Sequence, residues 1–180
     1  MNSVQVNDGG LKFSEKNAIL SHCGTYRYVL TRRVPQVIRW VKPALFIMLN
    51  PSIADAEVDD PTIRRCWGFS NSWGCTSLTV VNRFALRSTD PAGLYHHADP
   101  YGPENDRHLE EQIAAHRLGV IVCAWGAEPI ATASPWFEPF IQKLKEANAQ
   151  CLGMTKNGSP KHPLYLKKTQ DLIPWKGTAE

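Results

Sequence analysis

Four short apolar runs limit what this chain can fold into: ALFIMLN (44–50), SLTVVN (77–82), GVIVCAWG (119–126) and AQCLGM (149–154). An unbroken apolar run of strand length marks a strand covered on both faces. Helical patterns separate them. In DDPTIRRCWGFSNSWG, Asp60 stands as N-cap and Pro61 at the first helical position. Ile63, Cys66, Trp67, Ser70 and Trp73 then recur at helical spacing, and Gly74 closes the segment. GPENDRHLEEQIAAHR places acids early and Leu109, Ile113 and His116 on one face. A third helix opens at Ser134-Pro135 and carries Phe137, Ile141 and Leu144, with Pro139 distorting its first turns.

Strand and helix in alternation predict an α/β fold: a three-layer domain whose short, mainly parallel four-stranded sheet is flanked by helices. TYRYVLTRRV and QVIRWV, on either side of Pro35, predict an antiparallel hairpin ahead of that sheet. Residues 1–20 are polar and expected to be loosely held, leaving 21–180 as one domain of ordinary size.

Bulk properties narrow the function. Apolar residues make up 43% and charged residues 21%, so the chain is built to fold rather than to stay disordered. No window approaches the roughly 20 apolar residues of a membrane span. MNSVQVNDGG lacks the basic and apolar regions of a signal peptide, and the cytoplasm is the expected location. Five cysteines without a C-x-x-C pair predict neither a disulfide framework nor a standard metal site. The chain has no phosphate-binding Walker loop, no G-x-S-x-G elbow, no H-E-x-x-H and no deaminase signature. Net charge is only +3, yet Lys156, Lys161, Lys167, Lys168 and Lys176 crowd the last stretch, either as a solvated rim or as phosphate contacts.

In open α/β sheets, ligands bind beyond the carboxyl ends of the strands. Those ends read Asn50-Pro51-Ser52, Asn82-Arg83, Trp125-Gly126, and a loop from Thr155 through Lys161-His162. An amide donates and accepts at once, so it can read a planar heterocycle or orient a water. An imidazole can donate a hydrogen bond to a leaving group. The set suits a nucleobase pocket. Each member also has a structural reading: Asn-Pro as a turn, Asn82 as a cap, Trp125 as core. The long stretch RFALRSTDPAGLYHHADPYGP has no periodicity and reads as a lid, in which Arg83, Arg87, Tyr95 and Tyr101 would touch an aromatic, anionic ligand. The acidic turn after Asn50 divides: Asp60 caps the helix, Asp59 favours its N-terminus, and Asp55 and Glu57 are open. They could bind Mg²⁺ at a phosphate site, serve as general base, or pair with Arg64 and Arg65.

LNPSIADAEVDDPTIRRC, VVNRFALRSTDP, GPEND, AWG and CLGMTKNGSPKHPLYL, in that order, resemble the bacterial and phage family known as domain of unknown function 1643. A more distant likeness adds chemistry. The order of motifs is similar to that of the uracil-DNA glycosylase superfamily, with Asn-Pro after the first strand, Asn ending the second and His-Pro after the fourth. That resemblance implies a uracil-DNA-glycosylase-like fold in which Asn50 orients the attacking water and Asn82 binds the base edge. His162 would stabilise the departing base, and Leu164 or Tyr165 would wedge into the space a flipped nucleotide leaves. The candidate catalytic residues are therefore Asn50, His162 and Asp55. The candidate substrate-binding residues are Pro51, Ser52, Asn82, Arg83, Trp125, Lys161, Leu164 and Tyr165. Three function classes follow: an N-glycosidic hydrolase acting on DNA or a free nucleotide, a non-catalytic nucleic-acid or nucleotide-binding module, and a small-molecule enzyme using Asp55 or Glu57 with a metal.

Overall fold

A computed structural model describes residues 13–34, 41–129 and 137–177. Each apolar run becomes a strand: β3 (Pro43–Met48), β4 (Ser77–Asn82), β5 (Val120–Cys123) and β6 (Gln150–Cys151). They lie side by side, all parallel, in the order β4-β3-β5-β6. Alternate residues of β3 show why the run is continuously apolar. Leu45 and Ile47 enter one core while Ala44, Phe46 and Met48 enter the other, and all are buried.

The helices that connect them divide between the faces. Helix α1 (Pro61–Ser72) joins β3 to β4 and buries Ile63, Cys66, Trp67 and Phe69 against the Phe46 side. After a single-turn helix α2 (Gly93–His96), helix α3 (Asn105–Ala115) leads back across β3 to β5. Helix α4 (Phe137–Glu146) then joins β5 to β6. Leu109, Ile113, Ile141 and Leu144 pack on the Leu45 side. The chain thus reverses its winding direction at β3, and the loops leaving neighbouring strands part to opposite faces there. A crevice at that edge follows from the topology.

Among the described residues the sheet has seven strands, not four. Strand β2 (Arg27–Arg33) pairs antiparallel with β4 through Val29–Val81 and Leu30–Val80, so it is part of the main sheet rather than of a separate hairpin. Its other neighbour is β1 (Glu15–Leu20), within the segment expected to be loosely held. Glu15–Leu20 is exposed along nearly its whole length and shows no alternation, so nothing in its pattern marks a strand. Of QVIRWV, the expected partner of β2, all but Val41 lies outside the described residues, as does Ser134-Pro135. A two-residue strand β7 (Ile173–Pro174) closes the far edge on β6, too short to register as a pattern. Among the described residues no helix is long and apolar enough to cross a membrane.

Candidate functional site

The carboxyl ends of β3, β4 and β5 open into a cavity of about 410 Å³. Its walls include Asn50, Ser52, Asn82, Trp125, His162, Leu164 and Tyr165, joined by Arg27, Asp60, Ser88, Thr89 and Glu128. Hydrogen bonds continue past the ends of the strands and hold this edge in place. Arg83 N–H donates to Met48 O and Phe84 N–H to Leu49 O, both at 2.9 Å. Gly126 N–H donates to Pro160 O at 2.9 Å, which brings the His162 loop to the end of β5.

The two amides are oriented by their neighbours. Asn50 Nδ2 donates to Ser88 O at 2.8 Å and to Pro51 O at 3.2 Å. Both partners are carbonyls, so nitrogen must face them and Oδ1 is left as an acceptor, with no partner among the described residues. Asn82 is held the opposite way round. Its Oδ1 accepts from Arg27 Nη2 at 3.2 Å, which leaves Nδ2 as the spare donor. Only 1% of Asn82 is exposed, so that donor reaches nothing but the cavity.

His162 begins the 3-10 turn Pro163–Tyr165, and its Nδ1 accepts from Leu164 N–H at 3.3 Å. The proton of the neutral ring is then on Nε2. Burial pushes the His162 pKa below its ordinary value, against the opposing pull of the Asp60 carboxylate, so the ring is neutral at pH 7. The turn is tied to α1 by a long contact from Arg65 Nε to Pro163 O, 3.4 Å. The side chains that carry a spare acceptor, a spare donor and a neutral N–H therefore line one cavity.

The remaining predicted residues divide. Pro51 is buried behind the wall and Lys161 is exposed, neither lining the cavity. Arg83 turns into the core on the α4 side, 5.5 Å over the Trp125 ring and 5.1 Å over Phe140, and burial pushes its pKa down to about 10. Trp125 itself is 1% exposed and meets Trp175 edge-on at 5.3 Å, so most of its indole is core. Asp55 is away from the cavity. Its Oδ1 accepts from the N–H groups of Glu57 at 2.9 Å and Val58 at 3.0 Å, and these bonds hold its pKa below the usual carboxylate value. Of the alternatives open to it, pairing with Arg64 and Arg65 does not form; Arg32 and Lys16 engage Asp59. Among the described residues no three His, Cys, Asp or Glu side chains come together to hold a metal ion. The long stretch after Arg83 is folded rather than loose, with Ala85 N–H bonded to Tyr101 O and Ser88 N–H to Pro51 O. Ser88, Thr89 and Pro91 line the cavity, whereas Tyr95, Tyr101, Arg83 and Arg87 do not.

Sequence reasoning missed Arg27. It is 2% exposed, borders the cavity, and donates from Nη1 to Ala54 O at 2.7 Å as well as to Asn82. Burial lowers its pKa to about 10, partly offset by the charge of Asp60, so it stays cationic at neutral pH. Its only sequence signal was a charged residue inside an alternating strand.

A family model, Protein of unknown function (DUF1643), matches residues 27–164. The chain belongs to this family. The DUF1643 match begins at Arg27 and ends at Leu164, so it takes in every residue named in the cavity wall except Tyr165. No curated protein and no solved structure matches the DUF1643 chain, and none of these findings supports the resemblance to uracil-DNA glycosylases.

Proposed function

We propose that the cavity binds a nucleobase and that the chain hydrolyses the N-glycosidic bond holding it, with the base presented by a nucleic-acid strand. The observation that carries this reading is the opposed orientation of the two amides. Asn82 offers a donor and Asn50 an acceptor, each fixed by framework partners, beside the Nε2–H of His162. Breaking an N-glycosidic bond builds positive charge on the sugar and negative charge on the base. A neutral N–H aimed at a base oxygen stabilises that charge in a site shielded from water, and preorganised donors of this kind contribute about 3–4 kcal/mol. Asn50 Oδ1 accepts from a water and orients it, while Asn82 Nδ2 donates to the base edge.

A strand is favoured over a free nucleotide by charge on the rim. Exposed Lys161, Lys167 and Lys168 flank the turn that carries His162, Leu164 and Tyr165, and exposed Arg64 lies on α1, to which the turn is tied. Tyr165 is 84% exposed beside the cavity, a surface on which a base can stack.

An abasic-site assay tests the reading, using single- and double-stranded oligonucleotides that carry uracil and a panel of modified bases. Wild type should produce abasic sites, and Asn50→Ala and His162→Ala should lose them while still melting cooperatively. Salt-dependent binding without cleavage would make the chain a binding module instead. Binding of free nucleotides alone would overturn the nucleic-acid part.

A further inference from the structure

Asp60 is more than its capping role requires. Its Oδ1 accepts from Ile63 N–H at 2.8 Å, which satisfies the first turn of α1. Ser, Thr or Asn would cap equally well without burying a charge. Yet this carboxylate is 7% exposed and borders the cavity, and its second oxygen, Oδ2, has no partner among the described residues. Two cavity groups feel it. Asp60 is the strongest of the neighbouring charges acting on Arg27, and it acts on His162 as well. Glu128, also in the wall, has Oε1 engaged by the Tyr95 hydroxyl at 2.5 Å. Asn50 orients but cannot take a proton, so a hydrolytic reaction here lacks a base unless another residue supplies one.

We propose that Asp60 is the general base of the cavity, an inference that rests on the N-glycosidic reading above. Its Oδ2 takes a proton from the water held at Asn50 Oδ1. The water oxygen forms a bond to the anomeric carbon as the carbon–nitrogen bond breaks. The electron pair of that bond leaves on the base, whose carbonyl oxygen accepts from His162 Nε2–H. The proton on Asp60 returns to the base nitrogen through solvent, and the products are the free base and a sugar bearing the new hydroxyl. Arg27 holds Asn82 and balances the charge of Asp60, so one buried cation serves both sides of the reaction.

The test is Asp60→Asn, which keeps an N-cap oxygen and removes the proton acceptor. Three readouts accompany it: thermal melting, binding of the free base panel with Asn82→Ala as control, and single-turnover excision at pH 7.5. The expected result is unchanged melting and base binding, with excision lowered about 100-fold or more. Asp60→Ser, another capping residue without a base, should behave in the same way. Excision by Asp60→Asn within tenfold of wild type would overturn the assignment and leave the hydrolytic reading standing. Asn82-dependent base binding by a wild type that excises nothing would overturn both while keeping the pocket. Failure to bind or to excise would remove the pocket reading too.

Discussion

Arg27 and Arg32 lie on one strand and are almost equally buried, at 2% and 0% exposure, but they meet different surroundings. Arg32 has a carboxylate: its Nε lies 2.7 Å from Asp59 Oδ1, and its other nitrogens donate to the carbonyls of Thr31, Asp55 and Val58. Lys16 adds a second cation, 3.5 Å from Asp59 Oδ2. Arg27 has no carboxylate within ion-pairing distance among the described residues. It holds one backbone carbonyl and one amide, and it borders the cavity. The first is a clamp that folds the acidic turn onto the sheet. The second is a positioning device that sets which atom of Asn82 faces a ligand. Equal burial thus hides opposite roles, and the partners separate them.

Substitution should break that symmetry, most of all at Arg32. Arg32→Met leaves Asp59, whose side chain is 14% exposed, with Lys16 as its remaining cation, and takes the arginine donor from three carbonyls. Removing one partner of a buried pair costs about 3–5 kcal/mol. Urea unfolding should show a loss of that size, and base binding should survive wherever the protein is still folded. A loss below about 1 kcal/mol would mean that the clamp behaves like an exposed ion pair.

Arg27→Met should show the inverse balance. Two acceptors, Ala54 O and Asn82 Oδ1, lose their donor at about 1–3 kcal/mol for an unsatisfied buried group. Removing a cation with no carboxylate in contact offsets part of that. The functional cost should be the larger one, because the Asn82 amide is then free to turn and offer oxygen where it had offered nitrogen. Base binding should weaken at least tenfold with only a modest fall in the urea midpoint. Unchanged affinity would show that Asn82 keeps its orientation without Arg27.

The same contrast explains what the sequence revealed. The parallel core was legible because Leu45, Ile47 and their neighbours are apolar on both faces, and few other structures use that pattern. Helix α1 was legible from Asp60 and Pro61, whose capping chemistry is local. Asn50, Asn82 and His162 were legible as strand-end residues once the topology was inferred. Arg27 was not, since its role depends on Ala54 and Asn82, distant in sequence. Nor was the engagement of the acidic turn, because it is Asp59 that pairs, with Arg32 and Lys16 on neighbouring strands, and not Asp55 or Glu57 with Arg64 and Arg65. Contacts of high sequence separation leave no periodicity behind. For the same reason, the edge strands β1 and β7, each paired on one side within the sheet, had no pattern of their own.

The smallest expected effect concerns protons and again separates framework from cavity. Burial lowers the pKa of His108, His116 and His162 below the ordinary histidine value of about 6.5. The folded chain therefore binds protons less readily than the unfolded one as pH falls through that value, and the unfolded state gains protons first. Stability should be full above about pH 7 and decline as pH drops below about 6.5. His108 and His116 contribute from α3 and its end, whereas His162 contributes from the cavity wall. His162→Asn keeps a side-chain acceptor for the Leu164 N–H and cannot titrate, so its urea midpoint should fall less between pH 7.5 and 5.5 than that of the wild type. Equal midpoints for the wild type at both pH values would mean that these rings are protonated as easily in the fold as outside it. The Nε2–H donor would then belong to a cation below about pH 6.5, and the charge that His162 presents to a departing base there would have to be reassigned.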